Sequence, residues 1–247
     1  MTQYYDKNLR CKLPANNGNN DIVLNRNFNE WADYIAGNLS NRVPTGGVKY
    51  KRGADKKLLE LCRDHEKNYD RPKRGDATIM FTHPLYLHMS HAGEIDSDWI
   101  KSEADKYLHR FLEFLKLKRD RSQVNVVALD TIHHYAAATS LLLEEGLLDQ
   151  VIFTQYDSGR VIKKKDLAKF KKDNIFFGGG YNKRCLTSSI YEMQNKISTG
   201  SIWAIEELSL NSPQDYSETL RAPHIYGVSP SHVIRLGDVV RKLGMSP

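Results

Sequence analysis

The sequence predicts a three-layer α/β protein: a mostly parallel, doubly wound, Rossmann-like sheet of about five strands, preceded by an N-terminal helical extension. Three observations carry this. From Asp76 onward, short apolar runs alternate with helical patterns, the rhythm of crossover units that cover a parallel sheet on both faces. Each run closes on a polar or glycine-bearing segment, as expected where strands end at the carboxyl edge of an open sheet. The chain of 247 residues, 40% hydrophobic and 27% charged, is long and apolar enough to bury such a core.

Residues 1 to 75 read as the basic helical extension, and 76 to 247 as the domain that carries a site. Ala15 to Asn20 is a polar, turn-rich run. Phe28, Trp31, Ile35 and Leu39 then fall on one helical face, with Asn27 and Glu30 spaced as a capping box. A second helix covers Asp55 to His65, and Tyr69 to Gly75 is a charged linker.

In the domain, Thr78 to Thr82 is the first strand, closed by His83 and Pro84. Asp96 to Lys118 is a long helix, its apolar stripe made by Trp99, Tyr107, Leu108, Phe111, Leu112 and Leu115. Val124 to Leu129 is the second strand, closed by Asp130. A helix over Tyr135 to Glu145 stops at Gly146, the C-terminal glycine signal. Val151 to Thr154 is the third strand, and Lys163 to Lys172 a short basic helix with Leu167 and Phe170 turned inward. Asn174 to Met193 reads as strand, glycine loop and helix, and Ser201 to Ile205 as a fifth strand ending in Glu206 and Glu207. A last helix lies near Leu236 to Leu243, after a turn at Ser229 and Pro230.

The net charge of +6 is placed unevenly: residues 1 to 75 hold 15 Lys+Arg against 9 Asp+Glu, and the remainder balances. Such a segment could meet an acidic partner or nucleic acid, although it has no dense basic block or zinc finger; a solvated basic surface is the preferred reading. No apolar run approaches the roughly 20 residues that span a bilayer, and MTQYYDKNLRCKL has no signal-peptide apolar region. Cys11, Cys62 and Cys185 show no CxxC spacing. A cytoplasmic protein in a reducing compartment, with no membrane partner, is the expectation.

Chemistry is expected at the carboxyl edge of the sheet. The strand ends supply His83, Asp130 with His133 and His134, Tyr156, and the stretch from Gly178 to Cys185. Gly178, Gly179 and Gly180, with Asn182, Lys183 and Arg184, suggest a backbone cradle for an anionic substrate, and Tyr156 could orient it. The dinucleotide pattern G-x-G-x-x-G is broken, because Lys183 stands where the third glycine belongs. The phosphate loop G-x-x-x-x-G-K-[ST] is absent, so no cofactor is strongly implied.

Cys185 is the sharper candidate. A thiol in the first turn of a helix beside Lys183 and Arg184 has surroundings that favour thiolate, and His133 or His134 oriented by Asp130 could complete a Cys/His pair. The competing reading is a cysteine that packs as a small hydrophobe. His83, His88 and His91, with Glu94, have donor types that suit a divalent metal, but their spacing fits no known signature. No metal is therefore assigned, and His83 or His133 as general base or anion ligand is preferred.

The order of residues also resembles that of isochorismatase-like cysteine hydrolases, which place an Asp after one strand, a later Lys, and a Cys at the head of a helix with a Gly shortly before it. Asp130, Lys163 to Lys165 and Cys185 occur in that order. The chain departs from the family in having only 55 positions between Asp130 and Cys185 and no clear strand between the lysine run and the glycine-bearing strand; membership is not inferred.

The function expected from the sequence is therefore an enzyme, hydrolase or transferase, acting on a small anionic substrate. The alternative is a nucleotide- or nucleic-acid-binding module without catalysis.

Overall fold

A computed structural model describes residues 77–85, 98–130, 142–143, 146–154, 158–161, 167–170, 173–196, 200–212 and 224–247. The N-terminal extension, including the helices expected at Asn27 to Leu39 and Asp55 to His65, lies outside the described residues.

In chain order the elements are β1 (Ala77–Thr82), α1 (Asp98–Lys116), β2 (Val124–Asp130), β3 (Gln150–Phe153), β4 (Asn174–Gly180), α2 (Cys185–Gln194), β5 (Ile202–Leu210), β6 (Val233–Ile234) and α3 (Leu236–Lys242). The six strands form one sheet in the order β3-β2-β1-β4-β5-β6, with every neighbouring pair parallel. Parallel strands covered on both faces need apolar side chains throughout, which is why β1 and β2 are buried at every position.

The pleat sorts these side chains into two cores. Ile79, Phe81, Val126 and Ala128 face one side, where the α1 stripe of Tyr107, Leu108, Phe111, Leu112 and Leu115 covers them. Phe81 meets the Phe111 and Phe114 rings edge-on at 4.9 and 5.8 Å. Val239 of α3 joins the same core. Met80, Val127, Leu129 and Phe177 face the other side and pack against Leu186, Ile190 and Met193 of α2. This is the expected three-layer, Rossmann-like arrangement.

Helix ends follow the glycine signals. The amides of Gly146 and Leu147 bond the carbonyls of Leu143 and Leu142, and those of Gly244 and Met245 bond the carbonyls of Arg241 and Val240. Both glycines are left-handed, the pattern of a Schellman motif, which closes α3 at Gly244. Between β3 and β4, Ala168–Phe170 forms a 3-10 turn with Leu167 and Phe170 buried as expected; Lys163 to Lys165 lie outside the described residues.

Two expectations are corrected, and one, the sheet of about five strands, is sharpened to six. The sheet has a sixth strand, because Val233 and Ile234 pair with Ala204 and Ile205. A two-residue strand leaves no apolar run for a sequence to display. First, β5 does not end at Glu206 and Glu207 but continues to Leu210. The register shifts between Phe177 and Gly179, and the Ser209 hydroxyl donates to the Ile205 carbonyl at 2.7 Å. Glu207 accepts the amide of Leu236 at 2.8 Å, which ties it to the start of α3.

Second, the three glycines are not a loop. Gly178, Gly179 and Gly180 are the last residues of β4 and are buried there. A Cβ on Gly178 would lie 2.8 Å from the Phe81 ring, and one on Gly179 would lie 2.0 Å from the Thr82 carbonyl oxygen. Gly179 also has φ +97, so close packing and backbone conformation both require glycine there. The turn follows, over 182–184.

Candidate functional site

The order 3-2-1-4-5-6 reverses direction between β1 and β4. Diverging crossovers at such a point leave a crevice outside the carboxyl ends of the strands, where ligands of open α/β sheets bind. Here it is bounded by Thr82 and His83 after β1 and by the segment from Gly180 to Cys185 after β4.

Hydrogen bonds lace the ends of β1, β2 and β3 together. The His83 amide donates to the Leu129 carbonyl at 2.8 Å, and the Thr154 amide to the Asp130 carbonyl at 2.9 Å. Across them, His83 Nε2 meets Thr154 Oγ1 at 2.9 Å. His83 is 2% exposed and has φ +43. Burial pushes its imidazole pKa down to about 4, so the ring is neutral at pH 7. Thr82, also buried, has a hydroxyl without a hydrogen-bond partner; by alternation it shares the Met80 face that α2 covers.

The segment after β3 reaches across the same edge. Thr154 and Val161 form an antiparallel bridge, and Gly159 between them touches the head of α2. A Cβ on Gly159 would lie 2.2 Å from the Cys185 carbonyl oxygen. The Ser189 hydroxyl donates to the Gly159 carbonyl at 2.8 Å, and the Val161 amide to Glu192 Oε2 at 2.7 Å. Since β2 and β1 lie between β3 and β4 in the sheet, this segment bridges strand ends that the sheet keeps apart.

Cys185 is the first residue of α2 and is half-buried. Before it, the Tyr181 carbonyl accepts the amides of Arg184 and Leu186, and the Lys183 amide reaches Thr187 Oγ1 at 2.8 Å. Lys183 and Arg184 are exposed. Asn182 is 1% exposed and fastens three segments. Its amide nitrogen donates to Asn211 Oδ1 at 3.1 Å and to the His224 carbonyl at 2.5 Å, and its oxygen accepts the Tyr226 amide at 3.0 Å.

The residues expected from sequence are therefore distributed as follows. Gly178, Gly179, Gly180, Asn182, Lys183, Arg184 and Cys185 form one continuous wall at the end of β4. His83 and Asp130 lie at adjacent strand ends. In alternation Asp130 shares the face of Val126 and Ala128, which α1 covers, whereas α2 lies on the opposite face. His133, His134 and Tyr156 lie outside the described residues, as do His88, His91 and Glu94. Among the described residues, no group of three or more His, Cys, Asp or Glu could hold a metal ion. No described helix is long and apolar enough to cross a membrane.

Sequence reasoning missed Thr154 and Gly159. A threonine at a strand end and a glycine after Asp-Ser carry no signal of their own; only the bridging segment gives them significance.

No known protein family, no characterised protein and no solved structure matches the chain. The reading of the site rests on its own geometry.

Proposed function

We propose that this chain is an enzyme acting on a small anionic substrate by hydrolysis or group transfer, in the crevice between the carboxyl ends of β1 and β4. The observation that supports the reading best is the reversal of strand order at that point, with a half-buried cysteine heading the helix at its rim.

In this reading the Cys185 thiolate attacks an electrophilic carbon of the substrate, after His133 or His134 takes its proton. The carbon–leaving-group bond then breaks, and the departing group receives that proton. Water or an acceptor nucleophile cleaves the bond to sulfur and restores the thiol. Asp130 orients the histidine, Lys183 and Arg184 meet the anionic part of the substrate, and Tyr156 positions it. The glycines that end β4 hold its backbone against Phe81 and Thr82 and so set the wall from which Asn182, Lys183 and Arg184 extend. His83, neutral and bonded to Thr154, is a positioning residue that fixes the ends of β1 and β3.

Thiol reactivity tests this. Iodoacetamide at neutral pH is expected to label Cys185 well ahead of Cys11 and Cys62, as read by peptide mass spectrometry. Equal, slow labelling of all three would remove the nucleophile from the proposal.

A further inference from the structure

Two large apolar side chains stand exposed among the described residues, Tyr191 at 51% and Tyr226 at 49%, and they occupy one surface. A Cβ on Gly227 would lie 3.0 Å from Ile190 and 3.5 Å from the Tyr191 ring, so the turn that carries Tyr226 rests on α2 beside Tyr191. Scattered single apolar residues on a surface need no explanation. A pair set on α2 and on a braced turn beside it does.

The turn is held from several sides. Asn182 accepts the Tyr226 amide and donates to the His224 carbonyl, and Gln194 donates to the Gly227 carbonyl. Ile225 is buried beneath it, and Gly227 adopts φ +87. This scaffold keeps the Tyr226 ring half in water, against the hydrophobic tendency to cover it.

A cation borders one of the rings: Lys183 Nζ lies 5.3 Å from the Tyr226 ring centroid. Arg184, exposed at the N-cap of α2, precedes Tyr191 by seven positions. Glu192, the acidic residue of α2, accepts the Val161 amide.

Flat aromatic rings with an ammonium beside one of them and a guanidinium at the head of the same helix suit a ligand that alternates planar rings with phosphates. Bases stack on tyrosine, and the cations follow the backbone. We propose that Tyr191 and Tyr226, flanked by Lys183 and Arg184, form a stacking platform for single-stranded nucleic acid. A duplex hides its base faces and gains nothing from the rings. The platform does not depend on Cys185 being a nucleophile, and the labelling experiment above is read independently.

The test is fluorescence anisotropy of the full chain with labelled oligo-dT and oligo-U of about 12 nucleotides, a length within the usual site sizes. At low salt both probes are expected to bind more tightly than a duplex of equal length. Tyr191→Ala and Tyr226→Ala should each weaken binding at least about fivefold, and the Phe replacements should retain it. Lys183→Ala and Arg184→Ala should each lower the slope of log affinity against log salt by about 0.7. Circular dichroism checks that these surface variants fold. Failure of both probes to bind overturns the proposal and leaves the tyrosines as a surface for a protein partner. Binding that the Tyr→Ala variants leave unchanged also overturns it, and assigns the affinity to basic residues elsewhere, such as those of 1–75.

Discussion

The two edges of the sheet use buried polar groups differently. At the amino edge these groups bond mainly to one another, and the buried atoms left without a hydrogen bond there, Asp149 Oδ1 and Arg119 Nε, belong to one ion pair. The Thr78 hydroxyl donates to Asp173 at 2.6 Å, and the Asp149 carboxylate accepts both Arg119 Nη2 and the Val126 amide at 2.8 Å. Asp149 and Arg119 are 0% and 4% exposed, so the ion pair is sealed. At the carboxyl edge, the Thr82 hydroxyl is buried without a partner, and His83 is held in a left-handed conformation. Cys185 stands half-buried at the head of α2, and backbones press together at Gly179 and Gly159. The first edge is a seam whose product is stability. The second keeps polar groups and costly backbone that stability alone does not require, the pattern from which a functional site is inferred.

The sharpest way to break the comparison is Gly179→Ala. The new methyl would have to share space with the Thr82 carbonyl in a backbone conformation that L side chains disfavour. Separation of β1 from β4 is expected, with a loss of more than about 4 kcal/mol or failure to fold. Urea denaturation and circular dichroism measure it, and a variant of near-native stability would show that the close approach is dispensable.

At the other edge, Arg119→Met removes the nearer, buried cation and leaves the Asp149 carboxylate with the Val126 amide and the half-exposed Arg121, whose Nε lies 3.7 Å away. Breaking a buried pair from one side costs about 3–5 kcal/mol. Urea midpoints for the two proteins measure it. A loss below about 1 kcal/mol would mean that water reaches Asp149 and that the seam is not closed.

The comparison also explains what the sequence could disclose. Local patterns made the sheet legible: the apolar runs of β1, β2 and β4, the stripe from Tyr107 to Leu115, and the glycine stop at Gly146 all depend on near neighbours. The two residues of β6 did not, because they become a strand only when β5 supplies a partner. The glycines of β4 read locally as a loop for the same reason. What demands glycine at 178 and 179 is Phe81 and the Thr82 carbonyl, nearly a hundred positions earlier, and no local pattern reports that. The site was half legible. Lys183, Arg184 and Cys185 announce themselves as charges beside a thiol at a helix head. The pairing of His83 with Thr154, 71 positions apart, and the contact of Gly159 with Cys185 are set by topology.

His83 gives a smaller effect, measurable as a change with pH. Its folded pKa of about 4 lies below the ordinary value of 6.5, so between these values the unfolded chain binds the extra proton. Stability attributable to His83 is therefore complete above about pH 6.5 and is lost as the pH falls towards 4. Between pH 7 and pH 5 the loss is about 2 kcal/mol. Asn tolerates left-handed backbone and does not titrate, so His83→Asn isolates the pH effect from any constant loss of packing. Urea unfolding of both proteins at pH 7 and pH 5 should show the wild type losing about 2 kcal/mol more than the variant. Equal losses would mean that the His83 ring already takes up its proton in the folded protein at pH 5. The carboxyl edge would then admit water as far as β1, and the imidazole would be available as a general base instead of a positioning group.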